Sequence, residues 1–346
     1  MIFENKGRNL VVYKGIWGDK SFPTLDIEAN SDSTPTSYKH AGEPERACEI
    51  IKSFYEIENK ELFDRQYAKA VSGNGDEQKK ILTLHSSSRL ALLTFYNIDE
   101  EHTITLNING ESIEFDFSTF EFKNPVIGYP SNMDVVLVSK DRKRVLFLES
   151  KLSEYYISAG SKSAAISCRY AENEYSKFFY DSEWLESVGI QTSYNPEDKS
   201  LKEFILTMMD NQINYLDGFK QMISHYIGIR RRLAEKKRIT SDESSEEDKR
   251  IADIILSVLE DSESVVYLGE ILFDRIRMPE GCDGELNPQE VLKEYGRLYS
   301  KLAERMNECI RKDGIADRFV VLDEEMRYSD VFLHTNIDPM TADFYG

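Results

Sequence analysis

Cysteine is scarce and dispersed in this chain. Cys48, Cys168, Cys282 and Cys309 are the whole complement, and no two stand as CxxC. Neither a zinc site nor a disulfide framework is indicated, and the four read as reduced, half-buried small apolar residues. Proline is sparse at 9 residues and glycine stands at 18, which excludes collagen-like and low-complexity chains. No uninterrupted apolar run approaches the roughly 18 residues of a membrane span, so no membrane partner is expected. The opening MIFENKGRNL has no apolar stretch of the secretory-leader kind, and the expected location is the cytoplasm. Basic residues are the other shortage: 43 Lys and Arg against 62 Asp and Glu leave a net charge of −19. A field of that sign opposes a polyanion at long range. A nucleic-acid partner would therefore need local basic stripes and a cation site.

What is present is a globular composition, 40% hydrophobic and 30% charged over 346 residues. That is enough for one large core or two modest ones. Residues 1–40 mix strand-like pieces such as Leu10–Tyr13 with the polar stretch EANSDSTPTS. Ala47, Ile50, Ile51 and Phe54 recur at helical spacing and predict a helix from Glu43 to about Val71. Ser72-Gly73-Asn74-Gly75 then breaks the pattern. A second helix is predicted from Asp76 to Tyr96, capped by Asn74 or Asp76. Ile104, Leu106 and Ile108 alternate with polar residues, Asn109-Gly110 follows, and Ile113, Phe115 and Phe117 alternate again, the pattern of a β-hairpin at about 103–117. Further strands are predicted at Phe120–Val126, Val135–Val138 and Arg144–Glu149, the last two joined by the polar turn Lys140–Lys143. Beyond Lys151 the chain reads as largely helical, with helices over Ser167–Trp184, Leu201 to about Lys237, a stretch ending near Leu259, and Pro288–Ile310. Strands are predicted there at Ser264–Phe273 and Arg318–Leu322. The fold class is α/β, with helices layered on a central mixed β-sheet and a helical C-terminal half.

The chemistry concentrates between Pro130 and Lys151. Side chains alternate along a strand, so Glu149 and Lys151 share a face. If the turn is centred between Asp141 and Arg142, Asp134 stands directly across from Glu149 on that same face, whereas a turn centre one residue away slides the pairing by two residues. Two carboxylates so close do not both ionise cheaply without a cation between them. Oxygen ligands with room for water suit Mg2+ (or Mn2+), which would lower the pKa of a bound water and offset charge building on phosphorus. Lys151 could orient the attacking water and stabilise that charge. Against this stands the plain alternative of three solvated charges at strand ends, which the apolar runs VVLV and VLFL argue against, since such strands are covered on both faces.

These residues resemble the motif of the PD-(D/E)XK nuclease superfamily, the restriction-endonuclease-like fold, with Asp134 and Glu149-Ser150-Lys151 in the motif positions and the proline displaced to Pro130. The stretch Gly73–Phe95, GNGDEQKKILTLHSSSRLALLTF, resembles the GxGxEL and LHSSSAL signature of uncharacterised bacterial members. The resemblance implies a restriction-endonuclease-like α/β domain over 72–334 with its catalytic core at about 73–228. A largely helical N-terminal extension at 1–71 and a tail at 335–346 complete the chain. It implies Mg2+-dependent hydrolysis of DNA, with Asp134 and Glu149 as metal ligands and Lys151 catalytic. Glu77 is then a further catalytic metal ligand, or else a residue favoured by a helix N-terminus. Ser86 and Ser87 are substrate contacts or small residues that permit close packing. Gln221, in QMISHYIG, matches a glutamine near the site in this superfamily, although His225 and not Tyr226 stands four residues on; a surface or capping role is the alternative. IRRRLAEKKRI (Ile229–Ile239) and the turn Lys140–Arg144 are the basic clusters on offer, each with a structural explanation of its own. The partner implied is DNA, with a homodimer compatible. The rival expectations are the same chemistry on RNA, and a catalytically silent fold serving as a binding or scaffold protein.

Overall fold

Val135–Val138 and Val145–Leu148 are apolar at every position and not at alternate ones, so their strands have to be covered on both faces. All eight side chains are fully buried. The computed structural model describes residues 2–5, 8–11, 16–17, 20–21, 27–29, 35–38, 44–72, 81–82, 86–124, 126, 130–152, 163–172, 174–209, 215–235, 246–275, 288–333 and 341. Its first part holds three two-stranded antiparallel ribbons: β1 (Ile2–Asn5) with β2 (Arg8–Val11), β3 (Ile16–Trp17) with β4 (Lys20–Ser21), and β5 (Ile27–Ala29) with β6 (Pro35–Tyr38). The expectation of a largely helical extension over 1–71 therefore holds only for its second half. Apolar pieces this short leave no stretch long enough to sustain a helix.

Helix α1 (Pro44–Phe54) and helix α2 (Lys60–Ala70) replace the single helix expected from Glu43 to Val71. Glu56 adopts φ +54°, a left-handed conformation that ends α1, and the Asn59 side chain starts α2 by accepting from the Leu62 N–H at 3.1 Å. Helix α3 (Ser87–Phe95) begins well after the expected start at Asp76, since Ile81 and Leu82 lie in a turn. Ser86 caps it, its Oγ accepting from the Arg89 N–H at 3.0 Å, while Arg89, fully buried, donates to the Ile81 carbonyl at 3.2 Å. The proposed caps Asn74 and Asp76 lie outside the described residues.

The main sheet is mixed. In chain order come β7 (Ile104–Ile108), β8 (Glu111–Asn124), β9 (Ser131–Ser139) and β10 (Arg144–Lys151), all antiparallel to their neighbours. Strand β14 (Val265–Leu272) lies parallel to β10, and β15 (Phe319–Val321) and β16 (Met326–Arg327) lie parallel to β14. The strand order is β15-β14-β10-β9-β8-β7, with β16 also on β14. The predicted hairpin is present with Asn109 at φ +51° and Gly110 at φ +83°, the pair of positive angles a two-residue turn requires. The third strand expected at Phe120–Val126 is the continuation of β8, which runs for 14 residues. Its register slips between Phe115 and Phe117, and such bulges bend a strand; the sheet is curled.

Between β10 and β14 a small antiparallel sheet forms, in the order β11 (Ser163–Ser167), β13 (Glu203–Met208), β12 (Ile190–Thr192). It corrects two expected helices. Ser167–Trp184 holds only the short α4 (Arg169–Glu172), a 3-10 turn at Lys177–Tyr180 and the start of α5 (Ser182–Ser187). Leu201 to about Lys237 divides into β13 and α6 (Leu216–Glu235), because Phe204, Leu206 and Met208 are buried with a period of two. Helices α7 (Glu246–Glu260) and α8 (Pro288–Lys312) flank β14 in sequence, and α9 (Tyr328–Val331) follows β16. Helix α6 packs across β8 and β9. Gly228 permits this close approach, since a Cβ there would stand 2.8 Å from the Asn124 Cβ. Among the described residues no helix is long and apolar enough to cross a membrane.

Candidate active site

The β9–β10 hairpin is pinned by its turn. Ser139 Oγ donates to Asp141 Oδ1 at 2.6 Å and accepts from the Arg144 N–H at 2.8 Å, and Arg142 takes φ +58°. The register that follows pairs Val138 with Val145 through to Val135 with Leu148. It is the register expected from the sequence. One step further, Asp134 falls opposite Glu149, and the Ser150 N–H donates to Asp134 Oδ2 at 2.7 Å.

Lys151 Nζ donates to Glu149 Oε1 at 2.6 Å and to Gln221 Oε1 at 2.6 Å. His225, one helical turn beyond Gln221 on α6, holds Glu149 Oε2 through Nε2 at 2.8 Å. Glu149, Lys151 and His225 are buried, with 2%, 5% and 2% of their surfaces exposed. These groups open onto a cleft of about 510 Å3 whose wall also includes Ser87, Asn132, Asp217 and Lys220.

A row of carboxylates crosses the sheet here. Glu121 on β8 lies between the pairs Phe120–Val135 and Phe122–Met133, so it falls opposite Asp134 on the side away from Glu149. It is buried, lines the cleft and takes φ +52°, an uncommon angle for such a side chain and of the kind found where a site constrains the backbone. On the other side Glu270 of β14 is in register with Glu149. Glu270 is fully buried; Oε2 accepts from the Tyr295 hydroxyl at 2.8 Å, and Oε1 has no hydrogen-bond partner among the described residues.

The electrostatics separate these acids. Burial raises the Asp134 carboxyl well above the usual range, and the charges of Glu149 and Glu121 add to that, with Lys151 and the Ser150 N–H opposing. Burial would raise Glu149 too, but Lys151 and His225 outweigh it and hold it at about 2. Burial pushes Glu270 up to about 7, against the pull of Lys151 and Tyr295. Asp134 is thus the member of the pair that takes up a proton when no cation is near.

No protein-family model, curated protein or solved structure matches this chain.

Of the residues singled out in the sequence, the structure brings together Asp134, Glu149, Lys151 and Gln221, with Ser87 on the cleft wall. Ser86 is not in that wall; its hydroxyl caps α3. Glu77 lies outside the described residues. Sequence reasoning missed Glu121, Glu270 and the role of His225. The signals existed for two of them: Glu270 is the one charge inside VVYLGEIL, and His225 stands at helical spacing from Gln221. Glu121 carried none, since FEF reads as ordinary alternation with its glutamate outward.

Among the described residues no three His, Cys, Asp or Glu side chains close a metal cage. Mg2+ does not need one, for it keeps several waters and takes one or two carboxylates. Asp134 opposite Glu149, with Glu121 beside them, supplies hard oxygen donors whose mutual repulsion a divalent cation would relieve. Oxygen donors of this kind would suit a partly hydrated Mg2+ ion, while both Glu149 oxygens are held by Lys151 and His225.

The described members of the basic clusters, by contrast, are paired within the fold, while Lys236, Lys237 and Arg238 lie outside the described residues. Arg230 pairs with Asp313, Arg231 donates to the Val126 carbonyl at 2.5 Å, and Arg232 donates to Asn124 Oδ1 at 2.7 Å. On the hairpin turn Lys140 pairs with Glu114, Arg142 with Asp116, Lys143 with Asp261 and Arg144 with Glu111. Among the described residues the cations lining the cleft are Lys151, itself held by Glu149 and Gln221, and the exposed Lys220.

Proposed function

We propose that this chain is a nuclease with a restriction-endonuclease-like core, hydrolysing DNA phosphodiester bonds with Mg2+. The observation that supports the reading is the meeting of Asp134, Glu149 and Lys151 at one cleft, at the end of the β9–β10 hairpin. Asp134 and Glu149 would hold the ion, with Glu121 bordering it. Bound there, Mg2+ would offset charge gathering on the phosphate and lower the pKa of a water.

The protein's own groups divide the remaining tasks. Lys151, held by Gln221, presents its ammonium to the attacking water and to the non-bridging phosphate oxygens as negative charge builds there. Water oxygen forms the new bond to phosphorus as the bond to the leaving deoxyribose oxygen breaks; the water gives up a proton to solvent and the leaving oxygen takes one from it, so the products are a phosphomonoester and a free hydroxyl. His225 keeps Glu149 turned toward Lys151. Lys220 and Ser87, on the wall, meet the flanking phosphates.

The test is incubation of the protein with duplex, single-stranded and branched DNA, and with RNA, with and without Mg2+ or Mn2+. Cleavage is expected only with the metal, and Asp134→Ala and Lys151→Ala should each reduce it by about 100-fold or more. Cleavage undiminished in both variants would remove the site assignment, and RNA-only cleavage would change the substrate.

A second reading has its own support: both oxygens of Glu149 are engaged within the chain, as suits a catalytically silent scaffold. Calorimetric titration with Mg2+ separates the two. The nuclease binds the ion and loses it in Asp134→Asn, whereas the scaffold shows no Asp134-dependent heat.

A further inference from the structure

The curl of the main sheet brings its two ends toward each other without closing them. β7 is one edge, and the segment Leu322–Val331, containing β16, stands at the other. Between them runs a second cleft of about 730 Å3, lined by Thr105–Gly110 on one side and by Asp323, Glu324 and Asp330 on the other.

Two features of that cleft point to an occupant. The first is the backbone of β7. Ile108 pairs with Glu111 beside a two-residue turn, so residues 108, 106 and 104 exchange hydrogen bonds with β8 and the outward N–H and C=O groups belong to Thr105 and Asn107. Among the described residues no other strand pairs with β7. Native edges are ordinarily blunted by lysine, proline or a bulge. β7 is ITLNI, its outward-facing residues Thr105 and Asn107 exposed and uncharged, and its register with β8 is regular from Ile104 to Ile108. The second feature is charge. Asp323, Glu324 and Asp330 are exposed on the facing wall, and Arg327, the one cation among the lining residues, pairs with Glu325.

We infer that this cleft is a docking groove for an extended, basic segment of a partner protein, which adds a strand to β7 and sets lysines or arginines against the acidic wall. A strand residue fills roughly 160 Å3, from its rise and the strand and sheet spacings. The cleft therefore holds about four or five residues, matching the five of β7. Main-chain pairing supplies the attachment and the alternate side chains select for charge. A second copy of this chain fits poorly, because it would bring an equal acidic wall against the first.

The test uses the full chain and three labelled eight-residue peptides: alternating lysine and valine, the same with alternate amides N-methylated, and alternating glutamate and valine. Fluorescence anisotropy should show binding of the first at least tenfold tighter than of either other. Hydrogen exchange at the Thr105 and Asn107 amides should be fast in the free protein and slowed at least tenfold by the first peptide. Thr105→Pro, which removes an outward donor at an edge, and Glu324→Lys, on the surface, should each weaken binding at least fivefold while the thermal melt is retained. Equal binding of the N-methylated peptide would reduce the effect to bulk charge and overturn the proposal. So would slow exchange in the free monomer, which would mean the chain covers its own edge, or slow exchange that tracks dimer formation in sedimentation.

Discussion

Glu149 and Glu270 are neighbours on parallel strands, and their surroundings drive them in opposite directions. Glu149 is held at about 2 by Lys151 and His225 in spite of its burial. Glu270, with one oxygen on Tyr295, is pushed by burial to about 7. The folded state therefore binds a proton at Glu270 more tightly than the unfolded chain does. That contribution to stability is complete below about pH 4.3, the unfolded value, and drains away as pH climbs through about 7. Glu149 acts in reverse, its contribution present above about pH 4.3 and lost as pH falls toward 2. Glu270→Gln, which keeps the shape and the acceptor without the charge, should leave urea stability near wild type at pH 4. At pH 8 it should raise it by up to about 4 kcal/mol, at about 1.4 kcal/mol for each unit of pKa. An equal change at both pH values would show that Glu270 is not the titrating group. Glu270 was open to detection in the sequence, as a lone carboxylate in an apolar strand, because burying one costs enough to signal a built environment.

At the scale of elements, the hairpin could be read in advance because two apolar runs and one polar turn leave few registers, and each slip of one residue turns every side chain to the wrong face. The same logic identified β7, the start of β8, β14 and α8. It failed between Ser167 and Met208, where strands of three to six residues lie among aromatic and serine-rich turns and the two periods are hard to tell apart. It failed at α3 for another reason, since the start was decided by the Ser86 hydroxyl, inside what looked like a continuing helix. The basic stretch of α6 also misleads as sequence. Arg232 is buried, donates to Asn124 and to the Lys123 carbonyl, and lies over the Phe122 ring at 5.1 Å. Arg232→Ala should therefore lower the unfolding free energy by about 2–4 kcal/mol, the cost of orphaning buried acceptors and losing that packing. It should leave the salt dependence of DNA binding unchanged, and a shallower salt slope in a fully folded variant would instead make Arg232 a phosphate contact.

For the molecule as a whole, the net charge of −19 and the internal pairing of the described basic residues limit how steeply the proposed DNA binding would depend on salt. With Lys151 and Lys220 as the cations at the cleft, the logarithm of the binding constant should fall with the logarithm of salt at a slope no steeper than about −2, at roughly 0.9 per phosphate neutralised. A slope of −5 or steeper, in filter binding with Ca2+ in place of Mg2+, would reveal a basic surface beyond the described residues. The parallel pairing of β10 with β14 carries one more consequence. The hairpin bearing Asp134 and Glu149 needs only neighbouring sequence, but the strand that closes its far side, with Glu270, is the product of a much later stretch of translation. While the chain is still on the ribosome, Glu149 and Lys151 stand at an open margin. The carboxylate row is completed last, so the cleft takes its final form only once the distal half of the chain has been made.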